Sequence, residues 1–504
     1  EPFQVLREAL AVRATTLVIV DNMEQLIDVV DDTLGGLVGA SRSVRWLATS
    51  RHRLDLPGER LLPIDPLPLP DLSVGVDPTT VARCPSVQLF VDRARAARPS
   101  FTLEAAGIDV VARLVNLLDG LPLALELAAA RVRVLPPKRI LSRIGRRFDL
   151  LKGRRGGGRQ STLKAAIDWS WDLLSPEERA ALARCAVFEG SFDLEAAEAV
   201  LEIDLDDAPW PTDLVESLVD KSLLRSQEHD GEARFSLFRS IADYARARLE
   251  DPTAVRVDGQ PLTGPQARQE VEARHAAHYA RWGDPEETAS LTGIDGRQAR
   301  ERLARDLDNL VVGVHRCVRD QDALTAAALA RGALALLEVT GPFTLAEEVG
   351  LAALKVVEGE AAAELQLTLG VARTRAGRID AGRPPLVAAL QAAEASQDRL
   401  LEARARTAIA HGALRQGDLE AARTGFEAAR TGFRSAGDQR GEGECDRELA
   451  HILGIRGGRF DEAVPLVESA LRCAQAAGDP VGQALAETIA GALACIRGDF
   501  DSGR

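Results

Sequence analysis

Short apolar runs and long helical stripes follow one another along this chain in an order that divides it into regions. Residues 15 to 20, Thr-Thr-Leu-Val-Ile-Val, form a β-branched run ending in Asp21-Asn22, as a buried parallel strand does when it presents acids at its carboxyl edge. A second strand is expected from Val44 to Ala48, ending in Thr49-Ser50-Arg51, and Glu24 to Val38 between them has helical apolar spacing. The opening therefore predicts β-α-β from a doubly wound sheet, closed by the Pro-rich linker from Pro63 to Pro70. From Ser86 to about Leu150 the spacing is helical, broken at Gly120-Leu121-Pro122, and predicts a small helical subdomain. A Gly- and Arg-rich loop, Lys152 to Gln160, comes next.

Ser161 is placed to cap a helix running to Leu174, and Ser175-Pro176-Glu177-Glu178 supplies N-cap, first-turn proline and capping acid for the following one. Helices near 194 to 201 and 212 to 220 precede two strands, Ser222 to Arg225 and Arg234 to Phe238, around an Asp230-Gly231 turn. That is the order of a winged helix. Residues 266 to about 355 are helical without a defined repeat. Beyond them glycines 377, 417, 458 and 498 recur at intervals of 40, 41 and 40, each opening a similar unit such as Gly417-Asp418-Leu419-Glu420. A second marker, Gln397-Asp398, Gly437-Asp438 and Gly478-Asp479, keeps step at intervals of 40 and 41. Two markers in register predict helical-hairpin repeats, a long variant of the tetratricopeptide type.

Composition sharpens this picture. The 504 residues suffice for about three domains, and 46% hydrophobic, 27% charged and only 4% aromatic residues favour a helix-rich, Ala-rich architecture. The expected fold is mainly α: a partial α/β sheet, a helical lid, a winged helix and an α-solenoid. A formal charge of -14 argues against nucleic acid as the partner of the whole surface. Eleven basic residues stand against one acid, Asp149, between Arg131 and Arg159, a local charge of +10 that leaves -24 elsewhere. That stretch reads as a phosphate or nucleic-acid patch or as a solvated surface paired with acidic neighbours, and the lack of interleaved aromatics beyond Phe148 favours the second. Six scattered cysteines, with no C-x-x-C pair, fit reduced thiols of a cytoplasmic protein. The most apolar stretches are interrupted by Asp119 and Glu126 or by Arg331 and Glu338, so no membrane span is expected. With no initiating methionine, and with a fourth repeat broken off at Arg504, the sequence reads as a fragment of a longer protein.

An acid at the end of a buried strand, beside a strand ending in a basic tip, suits magnesium nucleotide chemistry, Asp21 for the metal shell and Arg51 for phosphate charge. On its own the strand-end Asp reads rather as a solvent-facing acid. Leu17-Val18-Ile19-Val20-Asp21-Asn22-Met23-Glu24 resembles the Walker B segment of STAND-type signalling ATPases, and Ala48-Thr49-Ser50-Arg51 is similar to their sensor arginine. Gly120-Leu121-Pro122-Leu123 resembles the GLPL motif of their NB-ARC helical subdomain. Leu163 to Leu174, with Asp168-Trp169-Ser170-Trp171-Asp172, is similar to the opening of the winged helix in the bacterial predicted-ATPase branch, which includes transcriptional regulators with repeat tails. Asp308-Asn309-Leu310 resembles the helix that begins the following region. The resemblance spans essentially the whole chain in the family's order.

What it implies is an ATP/ADP-operated switch, a slow regulatory ATPase. The implied domains are 1–80 for the C-terminal part of a P-loop NTPase domain, 86–150 for the lid, 160–250 for the winged helix, 266–355 for a helical linker and 356–504 for the repeats. Asp21 would coordinate Mg2+, Arg51 would contact the γ-phosphate, and Gly120, Leu121 and Pro122 would pack by the nucleotide. Glu24 would orient a water or be a solvated first-turn acid, and Asn22 stands where many relatives carry a second acid. The repeats would bind a protein or small-molecule ligand, self-association would follow nucleotide state, and the winged helix would not bind DNA directly.

Two departures stand out. No G-x-x-x-x-G-K-[ST] occurs in the chain, so ATP, ADP and Mg2+ would all require a P-loop upstream of Glu1. The near match at Gly153 to Gln160 has Arg for Lys and no preceding strand, which reads as an interdomain loop. Leu237-Phe238-Arg239 stands where relatives hold a His-Asp pair that senses the β-phosphate. The competing reading is a repeat-based interaction scaffold with a nucleotide-inactive sheet. His275 and His278 form the one close histidine pair, with no third ligand to make a metal site.

Overall fold

A computed structural model of the chain describes residues 2–11, 15–21, 23–38, 43–51, 53–72, 78–103, 107–143, 163–203, 208–257, 259–291 and 296–497. Asn22, the Lys152 to Gln160 loop, the Ser161 cap, the glycine marker at 498 and the basic residues from 146 to 159 lie outside them. The chain forms two units, one of residues 1–187 and 191–271 and one of residues 188–190 and 272–504.

In the first unit the two expected strands form at Thr16–Val20 and Val44–Ala48 and pair in parallel, Thr16 opposite Val44 and Val20 opposite Ala48. Val18, Val20, Trp46 and Ala48 face the chain that crosses between the strands, where Met23, Val30, Leu34 and Leu37 are buried. The other face differs from the expectation of fully buried strands: Leu17 is 58% and Ile19 63% exposed. The crossover covers one face, and period-2 alternation then leaves every second apolar side chain on the other. The helix expected from Glu24 to Val38 is also corrected. The segment is a succession of single turns, Met23–Gln25, Ile27–Val29, Asp31–Gly35 and Gly36–Val38. β-Branched Ile27, Val29, Val30 and Thr33 and the Gly35-Gly36 pair weaken a regular helix, and the Thr33 hydroxyl donates back to the Val29 carbonyl at 2.6 Å.

Helices Pro85–Ala97, Ile108–Leu117 and Pro122–Ala130 make up the small helical subdomain. The Pro-rich segment has no regular structure but is tied to it: Leu67 N–H donates to the Gly120 carbonyl at 3.1 Å, and the Asn116 amide donates to the Pro70 carbonyl at 3.1 Å. Leu163–Asp172 is a further helix, before the winged helix. Pro176–Cys185 follows with the expected capping box, Ser175 to Glu178 and back, then Leu194–Leu201, capped by Asp193, and Pro211–Asp220. The hairpin is Arg225–His229 with Glu232–Ser236, displaced from the expected strands. A two-residue turn makes His229 and Glu232 direct partners, so the polar residues beside Asp230-Gly231 enter the ladder. Leu223 and Leu224 are buried in the turn before it. Ser191–Phe192 adds a third, antiparallel strand, and Arg239–Glu250 completes the domain.

Among its described residues the second unit has helices and turns and no strand. Gly296–Arg319, Ala323–Thr340 and Phe343–Ala353 lead into the pairs Gly359–Arg375 with Ile379–Ser396, Arg399–Gln416 with Leu419–Ala436, and Gln439–Ala450 with Phe460–Ala476, then Pro480–Arg497. The markers seen in the sequence are the helix ends. Gln397, Gly417 and Gly437 each terminate a helix in the left-handed region. Asp398, Asp418 and Asp438 then cap the next helix through their side chains. Phe426, Phe433, Leu449 and several buried alanines fill the middle of the array. Ala323–Thr340 has the length and apolarity to cross a membrane, yet half of that window is buried. Its Leu329, Ala333 and Leu337 are core residues, and Arg331 pairs with Glu364 at 3.0 Å.

Candidate functional site

The parallel pairing brings the carboxyl ends of both strands to one edge. There Thr49 N–H donates to the Val20 carbonyl and Met23 N–H to the Thr49 carbonyl, both at 2.9 Å, so the residues after each strand are held by the other. Asp21 is exposed, and the Thr49 hydroxyl donates to its Oδ1. Glu24, on the turn that follows, is buried with 2% of its side chain exposed, and its Oε1 lies 3.6 Å from Arg51 Nε. It is therefore not a solvated acid. Arg51 Nη1 also donates to Ser170 Oγ at 2.6 Å. One guanidinium thus joins the strand edge to helix Leu163–Asp172.

Gly120, Leu121 and Pro122 lie in a separate turn whose contacts run elsewhere. Gly120 has φ +65°, and a Cβ there would stand 2.2 Å from the Leu67 carbonyl oxygen, so this position requires glycine. Pro122 takes the first position of its helix. Buried Asp119, also at positive φ, accepts from Ser240 N–H at 3.3 Å, within the first turn of Arg239–Glu250. Phe238, the residue before that helix, is half-buried under the Arg225 guanidinium, 4.5 Å from its ring centre.

A second polar network fastens Leu163–Asp172 to Arg239–Glu250. Asp168 Oδ1 accepts from Lys164 at 3.0 Å, Tyr244 hydroxyl at 2.8 Å and Arg248 at 3.1 Å. Arg248 lies over both Trp171 and Tyr244, 5.2 and 4.9 Å from their ring centres. Burial pushes the Asp168 carboxyl up, but the donors and the two cations outweigh it and hold it below the usual carboxylate range. Burial likewise pushes the Tyr244 hydroxyl up. Ser170 and Asp168 both fall in the sequence motif of this helix, but nothing in spacing alone marks their partners, which are 119, 76 and 80 residues away.

In the second unit Asn309 is fully buried, accepting from Glu189 N–H at 2.8 Å and from His275 Nε2 at 3.1 Å. An amide oxygen only accepts, so His275 carries its proton on Nε2. The ring packs against Phe188 and Tyr279. Burial, with the Arg316 charge, pushes it down to about 3. His275 is a neutral core histidine. Among the described residues a potential metal cluster lies elsewhere, at Glu442, Asp446 and Cys473, with Asp446 and Glu442 held by Arg430 and Arg434.

As to fit for nucleotide, Asp21 offers an exposed carboxylate at the strand edge, the donor that a magnesium ion needs. Arg51 is engaged by Glu24 and Ser170. The five described basic residues of the charged stretch are Arg131, Arg133, Lys138, Arg139 and Arg143, on the turn and helix after Pro122–Ala130.

A family model described as a winged helix-turn-helix domain matches residues 174–250. A Mycobacterium tuberculosis protein named "Putative HTH-type transcriptional regulator" is 34% identical over 301 residues, 58% of this chain and 30% of that protein. An uncharacterized protein of the same organism is 35% identical over 241 residues, 47% of this chain and 58% of that protein. The chain therefore spans less than two thirds of either relative. Among solved structures, a STAND protein with a tetratricopeptide repeat sensor from Pyrococcus horikoshii is similar with a TM-score of 0.39 at 15% identity, covering 99% of this chain and 68% of that one. Residues 174–250 are a winged helix-turn-helix domain, set in a chain that is similar over more than half of its length to a protein named as a transcriptional regulator.

Proposed function

We propose that this chain is the regulatory part of a bacterial transcription or signalling regulator of the STAND type, in which bound ATP or ADP sets how the lid and winged helix pack on the strand edge. The observation that carries this reading is Arg51, which stands at the strand edge, pairs with Glu24 and is bonded to Ser170 on the helix just before the winged helix-turn-helix domain. A cation held there by these two partners can be drawn away by the negative charge of a phosphate. Asp21 would hold Mg2+, which supplies charge neutralisation of the phosphates, while Glu24 and Ser170 hold Arg51 when no phosphate draws it. The helical repeats would bind the signal and bias that balance.

Direct DNA binding by this winged helix is not favoured. The helix before the hairpin, Pro211–Asp220, carries Asp213, Glu216 and Asp220 and no lysine or arginine, which opposes a phosphate backbone. The alternative, a scaffold whose sheet is nucleotide-inactive, keeps Arg51 as a structural tie only. Transcriptional or signalling output of the complete gene product separates the two: Asp21→Asn and Arg51→Ala should each change activation, and unchanged output in both would leave the scaffold.

A further inference from the structure

Helices of the array line an open pocket of about 370 Å³. Its lining comes from helices Ala323–Thr340, Gly359–Arg375, Arg399–Gln416, Leu419–Ala436 and Gln439–Ala450. Leu367, Val371, Ala408 and Phe433 supply apolar wall. Four guanidiniums, of Arg375, Arg404, Arg415 and Arg447, also line it, against the two carboxylates of Glu338 and Glu444. In a chain of net charge -14 this is a local excess of positive charge.

The partners of these groups separate one of them from the rest. Arg375 pairs with Glu338 at 3.5 Å, Arg447 with Glu448 at 3.0 Å, and Arg415 donates to the Thr374 carbonyl at 3.3 Å. Glu444 is taken by His411 Nε2 at 3.1 Å. Arg404 has no hydrogen bond or ion pair among the described residues. Its side chain is exposed at the pocket mouth, and the repeat register offers it no free acid. Positions 364, 404 and 444, 40 residues apart, read Glu, Arg, Glu, and each glutamate is engaged by another partner, Glu364 by Arg331 and Glu444 by His411.

We propose that this cavity binds a small organic anion with an apolar body, its carboxylate or phosphate meeting Arg404 and its body resting on Leu367, Val371, Ala408 and Phe433. The volume suits a single small molecule, and a charge-assisted bond to a guanidinium supplies orientation. This deepens the reading that the repeats sense a ligand, and names its chemical class. The test is calorimetric titration of the whole chain, without nucleotide, with octanoate and with 1-octanol, its neutral counterpart. Octanoate should bind at least tenfold more tightly than 1-octanol, and Arg404→Gln should weaken octanoate at least tenfold. Arg297→Gln, on an exposed helix surface, should leave binding unchanged. Equal affinity for 1-octanol, unaltered binding by Arg404→Gln, no octanoate binding, or binding of an octaglutamate peptide in its place would overturn the assignment. Nucleotide plays no part in this titration, so its failure leaves the switch reading untouched, and failure of the switch leaves the cavity assignment untouched.

Discussion

Glu24 and Arg51 pair at 3.6 Å across the ends of two parallel strands, the carboxylate 2% and the guanidinium 34% exposed. Removing the arginine leaves a buried carboxylate without its cation. Arg51→Ala should destabilise the first unit by about 1–2 kcal/mol, less than a fully buried pair would lose because solvent reaches the guanidinium. Urea unfolding of Arg51→Ala, Glu24→Gln and the double variant checks this. The double variant should recover part of the loss, and strict additivity would show that the two side chains do not interact.

Tyr244→Phe removes the hydroxyl that joins Asp168 and Arg248, and should cost about 1 kcal/mol by thermal unfolding. Asp168 contributes through a depressed carboxyl pKa. Such a group stabilises fully above its unfolded value and loses that contribution as pH falls through its folded value. Wild-type protein should therefore lose more stability than Asp168→Asn on acidification below about pH 4, in paired denaturation series.

His275 has the same sign for a different reason. Its folded pKa of about 3 lies below the ordinary histidine value. The unfolded chain binds the proton first, so stability should fall as pH drops from about 6.5 toward 3, by at most about 1.4 kcal/mol per pH unit from this group. Asn309→Asp would set a carboxylate against the ring and should raise the His275 pKa, read from its imidazole resonances by NMR titration. An unmoved resonance would show that Asn309 does not govern this histidine.

The parts of the fold that were legible in the sequence are those fixed locally. The Ser175–Glu178 box and the Asp230-Gly231 turn are written in a few consecutive residues. The repeat markers work because a helix must end in the left-handed region and restart at a cap, which Gly417-Asp418 does within two residues. The Glu24 to Val38 segment misled because its apolar spacing is helical while its β-branched residues and glycines break the helix into turns. The bonds of Arg51 to Ser170 and Asp119 to Ser240 were not legible, since each joins residues more than a hundred positions apart. The cavity around Arg404 was hidden for the same reason: its lining is shared among five helices.

The caps themselves give a further check on the array. Asp418→Ala and Asp438→Ala each remove a side-chain bond to a helix N-terminus, to Ala421 N–H and Gly441 N–H. Each should lower stability of the second unit by about 1 kcal/mol. Gly417→Ala, at φ +84°, should cost a similar amount. Chemical denaturation followed by circular dichroism reads all three, and a neutral result at both aspartates would contradict the capping assignment.

In the proposed switch, nucleotide acts at the Asp21 edge. The most direct measurement is titration of the complete gene product with fluorescent ATP and ADP, with and without magnesium, beside its Asp21→Asn variant. The switch account expects nucleotide binding that tightens with magnesium in the wild type and loses that dependence in the variant. Absence of binding, or identical magnesium dependence in both proteins, would contradict it and leave Asp21, Glu24 and Arg51 as structural residues of a repeat-based scaffold.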